Sequence, residues 1–167
     1  QEIDVLKDEQ NIVPISDFNK LINSEIKNQP TPFIYERLGE QYRHFFMDEF
    51  QDTSLLQWQN LVPLINNTIT QQFPNGEQGS LMLVGDAKQA IYRWRGGLPE
   101  QFIGLTTTEN PFPIQKELYN LPTNYRSRKE IVDFNNNFFT FISNHFESAL
   151  HQYIYKKGNQ QKSTNHE

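Results

Sequence analysis

Hydrophobic positions recur along this chain with two different spacings. From Ser16 onward, apolar residues fall three or four positions apart, as they do on one face of an α-helix; these residues are Phe18, Leu21, Ile22 and Ile26. By contrast, HFFM at 44–47 and LMLV at 81–84 are short, uninterrupted apolar runs that end at or next to an acidic residue. Runs of this kind are typical of buried strands in a parallel sheet.

Further helices are predicted between and after these strands. Helical spacing and turn residues place them at FIYERLGEQ (33–41), after the 44–47 strand, at KQAIYRW (88–94) and at LPEQFIGL (98–105). The helix after the first strand is expected to be capped by Asp52 or Thr53, with an apolar stripe made of Leu55, Trp58, Leu61, Val62 and Ile65.

A long helix is also predicted near the end of the chain. It is expected to begin with the capping box Ser127-x-x-Glu130. Its buried face is expected to consist of Ile131, Phe134, Phe138, Phe141 and Ile142. The segment before it, 111–127, contains three prolines and is predicted to be extended.

Strands that alternate with helices predict an α/β fold with a mostly parallel sheet. Ligands in such folds bind at the carboxyl ends of the strands. Two acidic sequences, Asp48-Glu49 and Gly85-Asp86, follow the two predicted strands directly. We therefore expect a ligand site where these acids meet.

Composition narrows the class of protein. The chain has 167 residues, 36% of them hydrophobic and 21% charged, which is a globular composition. It contains no cysteine, which excludes disulfides and thiolate chemistry and is consistent with a reducing, cytoplasmic location. The chain starts at Gln1 and has neither a signal peptide nor an apolar stretch long enough for a membrane helix, so we expect a piece of a longer protein with no membrane partner.

The acid pair after the first strand suggests nucleotide chemistry. A carboxylate at a strand end can hold Mg²⁺, which prefers oxygen ligands and keeps water and phosphate in its remaining positions. A neighbouring carboxylate can orient or deprotonate a water molecule for attack on a phosphate. Asp48 and Glu49 fit these two roles, although a bare Asp-Glu pair is more often a solvated loop feature. Gln51 and Asp52 either couple this site to neighbouring motifs or only cap the next helix.

Three motifs in order carry a family resemblance. DEFQDTS at 48–54, VGDAKQAIYRWRGG at 84–97 and NYRS at 124–127 resemble successive motifs of the UvrD/Rep/RecB group of superfamily 1 DNA helicases. The resemblance covers roughly residues 15–145 and is strongest to the RecB/AddA-like helicase-nuclease branch. It implies a partial RecA-like fold of the P-loop NTPase type. The implied organisation is an unassigned entering segment at 1–14, the C-terminal portion of an ATP-binding domain at 15–150, and a polar tail at 151–167.

The resemblance also implies roles for residues in the nucleotide site. Asp48 would bind Mg²⁺ and Glu49 would activate the attacking water. Gln89 would sense the γ-phosphate of ATP. Tyr125 would stack on the adenine and Arg126 would neutralise charge on the γ-phosphate, although Arg126 could instead be a surface charge at a helix start.

A second implied site is for single-stranded DNA. It would consist of Tyr92, Trp94 and Arg95, with the tryptophan stacking on a base. Stacking tolerates any sequence, which explains how a chain with a formal net charge of -5 could still bind DNA. The alternative is that Tyr92 and Trp94 are packing aromatics.

One expected motif is missing. None of the eight glycines belongs to a G-x-x-x-x-G-K-[ST] phosphate-binding loop. In the family, the strand that precedes this loop lies in the middle of the sheet, so we expect strand edges and apolar faces here to be uncovered. We also expect the 167 residues alone to be inactive. The function expected is part of an ATP-dependent DNA helicase motor, acting with the remainder of the helicase chain and a helicase-nuclease partner subunit. The alternative is a non-catalytic module that binds DNA or a partner subunit.

Overall fold

The chain folds as two units. The structure, a computed structural model, describes residues 2–27, 42–74, 76–156, 158 and 160–165. The first unit runs over Gln1–Lys116 and the second over Glu117–Glu167. The helix predicted at 33–41 lies outside the described residues.

The first unit combines helices with a short sheet. Its helices are α1 (Glu2–Gln10), α2 (Ile15–Lys27), α3 (Leu55–Thr70) and α4 (Pro99–Thr106), and its strands are β1 (His44–Met47) and β2 (Ser80–Leu83). Single 3-10 turns lie at Phe50–Asp52, Ala87–Gln89 and Arg93–Arg95. In the part of the chain that the structure describes, no helix combines the length and the apolar character needed to cross a membrane.

Strands β1 and β2 pair in parallel, as predicted from their apolar runs. His44 lies opposite Ser80 and Met47 lies opposite Leu83. The hydrogen bonding continues past the strand ends, because Val84 donates its N–H to the Met47 carbonyl (2.8 Å) and Phe50 donates its N–H to the Val84 carbonyl (3.0 Å). The parallel sheet between helices confirms the α/β class.

The core lies on one face of this sheet. It is formed by the buried side chains of Phe50, Trp58, Ile65 and Ile69, and alternate strand residues pack against it, namely Phe45, Met47, Leu81 and Leu83. On the opposite face, Phe46 is 73% exposed and Met82 is 53% exposed. Among the described residues, one face of each strand is therefore partly buried against the core and the other is exposed, so the prediction of fully buried strands is wrong.

Helix α3 begins later than its sequence suggests. Its N-cap is Ser54, and neither Asp52 nor Thr53 caps it. The Ser54 hydroxyl accepts the Gln57 N–H (3.3 Å), and the Gln57 side chain accepts the Ser54 N–H (2.9 Å). The two bonds form a capping box. Asp52 is instead part of the 3-10 turn that precedes the helix.

The prediction of a helix over 88–94 is wrong. Two separate 3-10 turns, Ala87–Gln89 and Arg93–Arg95, occupy this region. The Asp86 side chain accepts the Lys88 N–H and closes the first turn, after which Ala90 adopts an extended conformation. A local side-chain bond to the backbone therefore competes successfully with helix formation.

The second unit is a parallel strand pair with two helices. It contains β3 (Thr123–Arg128), α5 (Lys129–Ser143), α6 (Ala149–Lys156) and β4 (Lys162–Asn165). Thr123 lies opposite Lys162 in the parallel register. The predicted capping box is absent, because α5 begins at Lys129 with Arg128 as its N-cap and without a side-chain cap. Ser127 belongs to strand β3, and its N–H bonds to Asn124 Oδ1.

The apolar face of α5 is not buried within the described residues. Four of the five residues expected there are exposed: Ile131, Phe134, Phe138 and Phe141. Ile142 is partly buried, and the fully buried positions of this helix are Val132 and Ser143. The prediction that this face is buried is therefore wrong within the described residues, where the helix packs through the side that bears Val132 and Ser143.

Removal of Trp58 should destabilise the core of the first unit. Its ring meets Phe50 edge to face at 5.0 Å and Phe112 edge to face at 5.9 Å. Trp58→Ala is expected to lower the free energy of unfolding by about 3–5 kcal/mol, since it removes buried contacts and leaves a cavity. Urea unfolding measures the change. The matched control is the exposed Gln59→Ala in the same helix, expected within about 0.5 kcal/mol of wild type; equal effects would contradict the assignment.

Candidate functional site

The two predicted acids lie in an exposed loop directly after β1. Glu49 adopts the left-handed conformation, with φ 51° and ψ 40°, which is uncommon for a residue other than glycine. Its N–H donates to Asp48 Oδ1 at 2.9 Å. The chain then returns to the core at Phe50, which is fully buried. The turn therefore leaves both carboxylates at the carboxyl end of β1, open to solvent.

Gln51 joins this acid loop to the second strand end. Its side chain is almost completely buried, with 1% of the residue exposed. Its Nε2 donates to Glu49 Oε2 at 2.6 Å, and its Oε1 accepts the N–H of Asp86 at 3.0 Å. Of the two roles that the sequence left open for Gln51, the geometry supports the coupling of neighbouring motifs.

Gly85 makes room for this connection. A Cβ atom at this position would lie 2.6 Å from Gln51 Oε1, closer than such atoms approach. Sequence reasoning singled out Gly85 only as part of an acidic strand end. The sequence signal for this role is a glycine between an apolar strand and an acidic residue. Glycine at such a position often marks a place where another group approaches the backbone closely.

Asp86 organises the loop after β2. Its Oδ1 accepts the backbone N–H of Lys88 at 3.0 Å and the Lys88 ammonium at 2.7 Å. Its Oδ2 accepts the side-chain amide of Gln89 at 3.2 Å. A continuous chain of hydrogen bonds thus runs from Glu49 through Gln51 and Asp86 to Gln89. The structure therefore brings three of the predicted site residues, Asp48, Glu49 and Gln89, to the same edge of the sheet.

The aromatic and basic residues form an exposed turn. Trp94 is 75% exposed and Tyr92 is also exposed. The Arg95 guanidinium carbon lies 4.9 Å from the Trp94 ring centroid and 5.8 Å from that of Tyr92, within the range of cation–π attraction. Exposure of this kind does not fit the alternative that the two rings serve only to pack a core.

Backbone contacts hold this turn against the acid loop. Gly97 donates its N–H to the Tyr92 carbonyl (3.0 Å), and Leu98 donates to the Thr53 carbonyl (3.3 Å). Ser54 and Gly97 also form an isolated antiparallel bridge. A Cβ on Gly97 would lie 3.0 Å from the Tyr92 carbonyl oxygen, so glycine permits this close approach.

Tyr125 and Arg126 belong to the second unit, where both are exposed on strand β3. The Asn124 side chain fixes the local backbone, since its Oδ1 accepts the N–H groups of Arg126 and Ser127, each at 2.9 Å. Asn124 Nδ2 in turn donates to Gln161 Oε1 at 2.9 Å. These bonds leave both predicted nucleotide-contacting side chains open to solvent.

The loop that carries Asp48 and Glu49 offers carboxylate oxygens, the kind of ligand that a magnesium ion prefers. Within residues 2–27, 42–74 and 76–156 no group of three or more His, Asp or Glu side chains forms a protein-only metal cage. Magnesium is commonly held by one or two carboxylates together with water and nucleotide phosphate. An exposed Asp48 carboxylate at a strand end fits that type of site.

Comparison with known proteins places the chain in a family. Residues 1–110 match the family described as UvrD/REP helicase N-terminal domain. The chain belongs to the UvrD/REP helicase family. The matched region contains Asp48, Glu49, Gln89 and Trp94, whereas Tyr125 and Arg126 lie beyond it. The resemblance inferred from the three sequence motifs is therefore confirmed.

Individual relatives are helicase-nuclease subunits. An ATP-dependent helicase/nuclease subunit from Lysinibacillus sphaericus is 31% identical over 152 residues, which is 85% of this chain and 11% of the relative. The RecBCD enzyme subunit RecB of Chlamydia pneumoniae is 36% identical over 124 residues, 74% of this chain and 10% of the relative. The RecBCD enzyme subunit RecB of Chlamydia trachomatis is 31% identical over 128 residues, which is 75% of this chain and 11% of the relative. This member of the UvrD/REP family therefore spans about a tenth of these relatives' length.

Proposed function

We propose that this chain is part of an ATP-dependent DNA helicase or helicase-nuclease motor, which couples ATP hydrolysis to movement along single-stranded DNA in recombination and repair. The observation that carries the proposal is the hydrogen-bonded connection between the acid loop and the loop bearing Gln89. The relatives are named as helicase/nuclease subunits and RecBCD subunits. The proposed protein partners are accordingly the remainder of the helicase chain and a second subunit of a helicase-nuclease complex.

The two strand-end acids would divide the work of hydrolysis. Asp48 would hold Mg²⁺, and bound magnesium would offset the charge of the nucleotide phosphates. Glu49 would orient and deprotonate the attacking water, the role of a general base in phosphoryl transfer. Their positions on consecutive residues of one tight turn would keep the water close to the phosphates.

Three further residues would contact the nucleotide. Gln89, held by Asp86, would sense the γ-phosphate of ATP and transmit its presence to the adjoining aromatic turn. Tyr125 would stack on the adenine and Arg126 would stabilise negative charge on the γ-phosphate, which are the roles that the family resemblance implies for them. An arginine in this role accelerates related phosphoryl transfers by roughly 10³ to 10⁵.

The exposed aromatic turn would bind single-stranded DNA. Trp94 and Tyr92 are exposed to solvent, and Arg95, which lies over both rings, would supply a positive charge for a phosphate. Base stacking on an aromatic ring contributes about 1–3 kcal/mol per base and does not depend on sequence. A motor that moves along any DNA needs contacts of this type.

The second candidate is a module that binds DNA or a partner subunit without catalysis. What favours it is the exposed aromatic turn with Trp94 and Arg95, which could bind DNA whether or not ATP is hydrolysed. What favours the motor is the arrangement of Asp48, Glu49 and Gln89 around one sheet edge, because DNA binding alone does not require an ordered carboxylate pair. A phosphate-binding loop in the coding sequence upstream would decide for the motor.

Glu49→Gln tests the motor directly in a full-length helicase chain that contains these residues. The amide cannot accept a proton from water, so ATP turnover is expected to fall below detection while ATP binding is kept. Steady-state ATPase assays and binding of a fluorescent ATP analogue measure the two quantities. Gln57→Ala, in the capping box of α3, serves as the control. Wild-type turnover in Glu49→Gln would refute the proposed role.

Trp94→Ala tests the DNA site. Loss of a stacking platform is expected to weaken binding of a fluorescent oligonucleotide by roughly fivefold to hundredfold. The loss should be similar for oligonucleotides of different sequence. Ile91→Ala, an exposed aliphatic residue close to the same turn, is the control and should bind as wild type. Unchanged affinity in Trp94→Ala would refute the proposed contact of the tryptophan with DNA.

A third measurement uses the 167 residues alone. Without a phosphate-binding loop they are expected to show no DNA-stimulated ATP hydrolysis above background. The assay compares the wild-type segment with its Glu49→Gln variant, since any contaminating ATPase would be the same in both preparations. Turnover that disappears only in the variant would show that the segment is active by itself.

A further inference from the structure

We infer that Gln51 is a positioning residue for ATP hydrolysis: its buried amide fixes the carboxylate of Glu49 and ties it to the loop after β2. The inference rests on the proposed water-activating role of Glu49. Gln51 would not touch the water or the nucleotide. It would act through Glu49 alone.

The burial of Gln51 requires an explanation. Burying an amide without partners costs roughly 1–3 kcal/mol in proteins, and long polar side chains are seldom buried. Here both ends of the amide are bonded, the donor end to Glu49 and the acceptor end to Asp86. The orientation of the amide follows from chemistry, because a carboxylate only accepts and a backbone N–H only donates.

The donor end acts on a side chain that would otherwise be mobile. Glu49 is exposed, and an exposed glutamate can occupy several rotamers. A hydrogen bond to a carboxylate is among the stronger kinds, and this one is 2.6 Å long. It holds Oε2 and leaves Oε1 available to a water molecule. A reacting group held in one position gains rate from orientation, and a displacement of about 1 Å can cost on the order of 10²-fold.

A purely structural role predicts something different. Tying the two loops together needs only the acceptor end, on the N–H of Asp86. A donor directed at a solvent-exposed carboxylate adds little to packing. If Gln51 were only structural, its loss would reduce stability and nucleotide binding together, without a selective effect on turnover.

The test uses Gln51→Met in a full-length helicase chain that contains this segment. Methionine has a similar length but can neither donate to Glu49 nor accept the Asp86 N–H as an amide oxygen does. Both bonds are therefore lost, and the two roles are told apart by whether kcat falls alone or together with ATP binding. The kcat for DNA-stimulated ATP hydrolysis is expected to fall about tenfold to hundredfold. The dissociation constants for a fluorescent ATP analogue and for a single-stranded oligonucleotide should stay within about twofold. The matched control is Gln57→Ala, a glutamine that bonds to the Ser54 backbone and leaves the acids untouched.

Gly85→Ala provides a second variant in case Gln51→Met does not fold. Its new Cβ would lie 2.6 Å from Gln51 Oε1, 3.2 Å from the Phe50 backbone nitrogen and 3.3 Å from the Phe102 ring. The closest of these contacts forces the Gln51 amide to move, although neither Gln51 nor Glu49 is substituted. The same selective loss of kcat is expected. A wild-type kcat in either folded variant overturns the inference, as does a loss of kcat matched by an equal loss of ATP binding.

Glu49→Gln, assayed in parallel, separates the two levels of the proposal. If Glu49→Gln keeps wild-type turnover, the proposed function fails and the role of Gln51 fails with it. If Glu49→Gln is inactive while Gln51→Met and Gly85→Ala turn over normally, only the inference about Gln51 is wrong. Loss of turnover in all three variants, with ATP binding retained, supports both.

Discussion

The parallel pairing of β1 with β2 is the constraint on which the candidate site depends. The register places Met47 beside Leu83, so the chain leaves both strands at the same edge of the sheet, where their carboxyl ends lie. The two loops that follow are then close enough for Phe50 to bond to Val84 and for Gln51 to reach Asp86. In an antiparallel pair the same sequences would leave the sheet at opposite ends, and the acids and Gln89 would lie far apart.

Much of this first unit could be predicted because its local patterns agree with its tertiary structure. The apolar residues 45–47 and 81–83 lie within β1 (His44–Met47) and β2 (Ser80–Leu83), so each predicted run forms a strand. Helices α2 and α4 follow from spacing and turn residues. The cap of α3 could not be predicted, since Asp52, Thr53 and Ser54 are all suitable residues, and the choice depends on the length of the preceding 3-10 turn.

In the candidate site, too, some features follow from local sequence patterns and others depend on tertiary contacts. The position of Asp48, Glu49 and Asp86 directly after two apolar runs was enough to expect these acids at one edge of the sheet, whereas the role of Gln89 came from the family resemblance. The role of Gln51 depends on a bond to a residue 35 positions away, and no local pattern reports such a contact. Similarly, the periodicity of α5 marks an apolar face without specifying a partner, which is why residues such as Phe134 and Phe141 are exposed although burial was expected.

The left-handed backbone of Glu49 has a consequence for how this loop tolerates sequence change. That conformation costs a residue with a side chain roughly 1–2 kcal/mol, and the burial of Phe50 immediately after it holds the turn in place. Positions 49 and 50 are therefore not independent. A smaller residue at 50 would remove core contacts with Trp58 and would also let the turn relax toward an ordinary conformation, which would move the Glu49 carboxylate. Substitution of a core residue would thus displace a neighbouring carboxylate although the acidic residue itself had not changed.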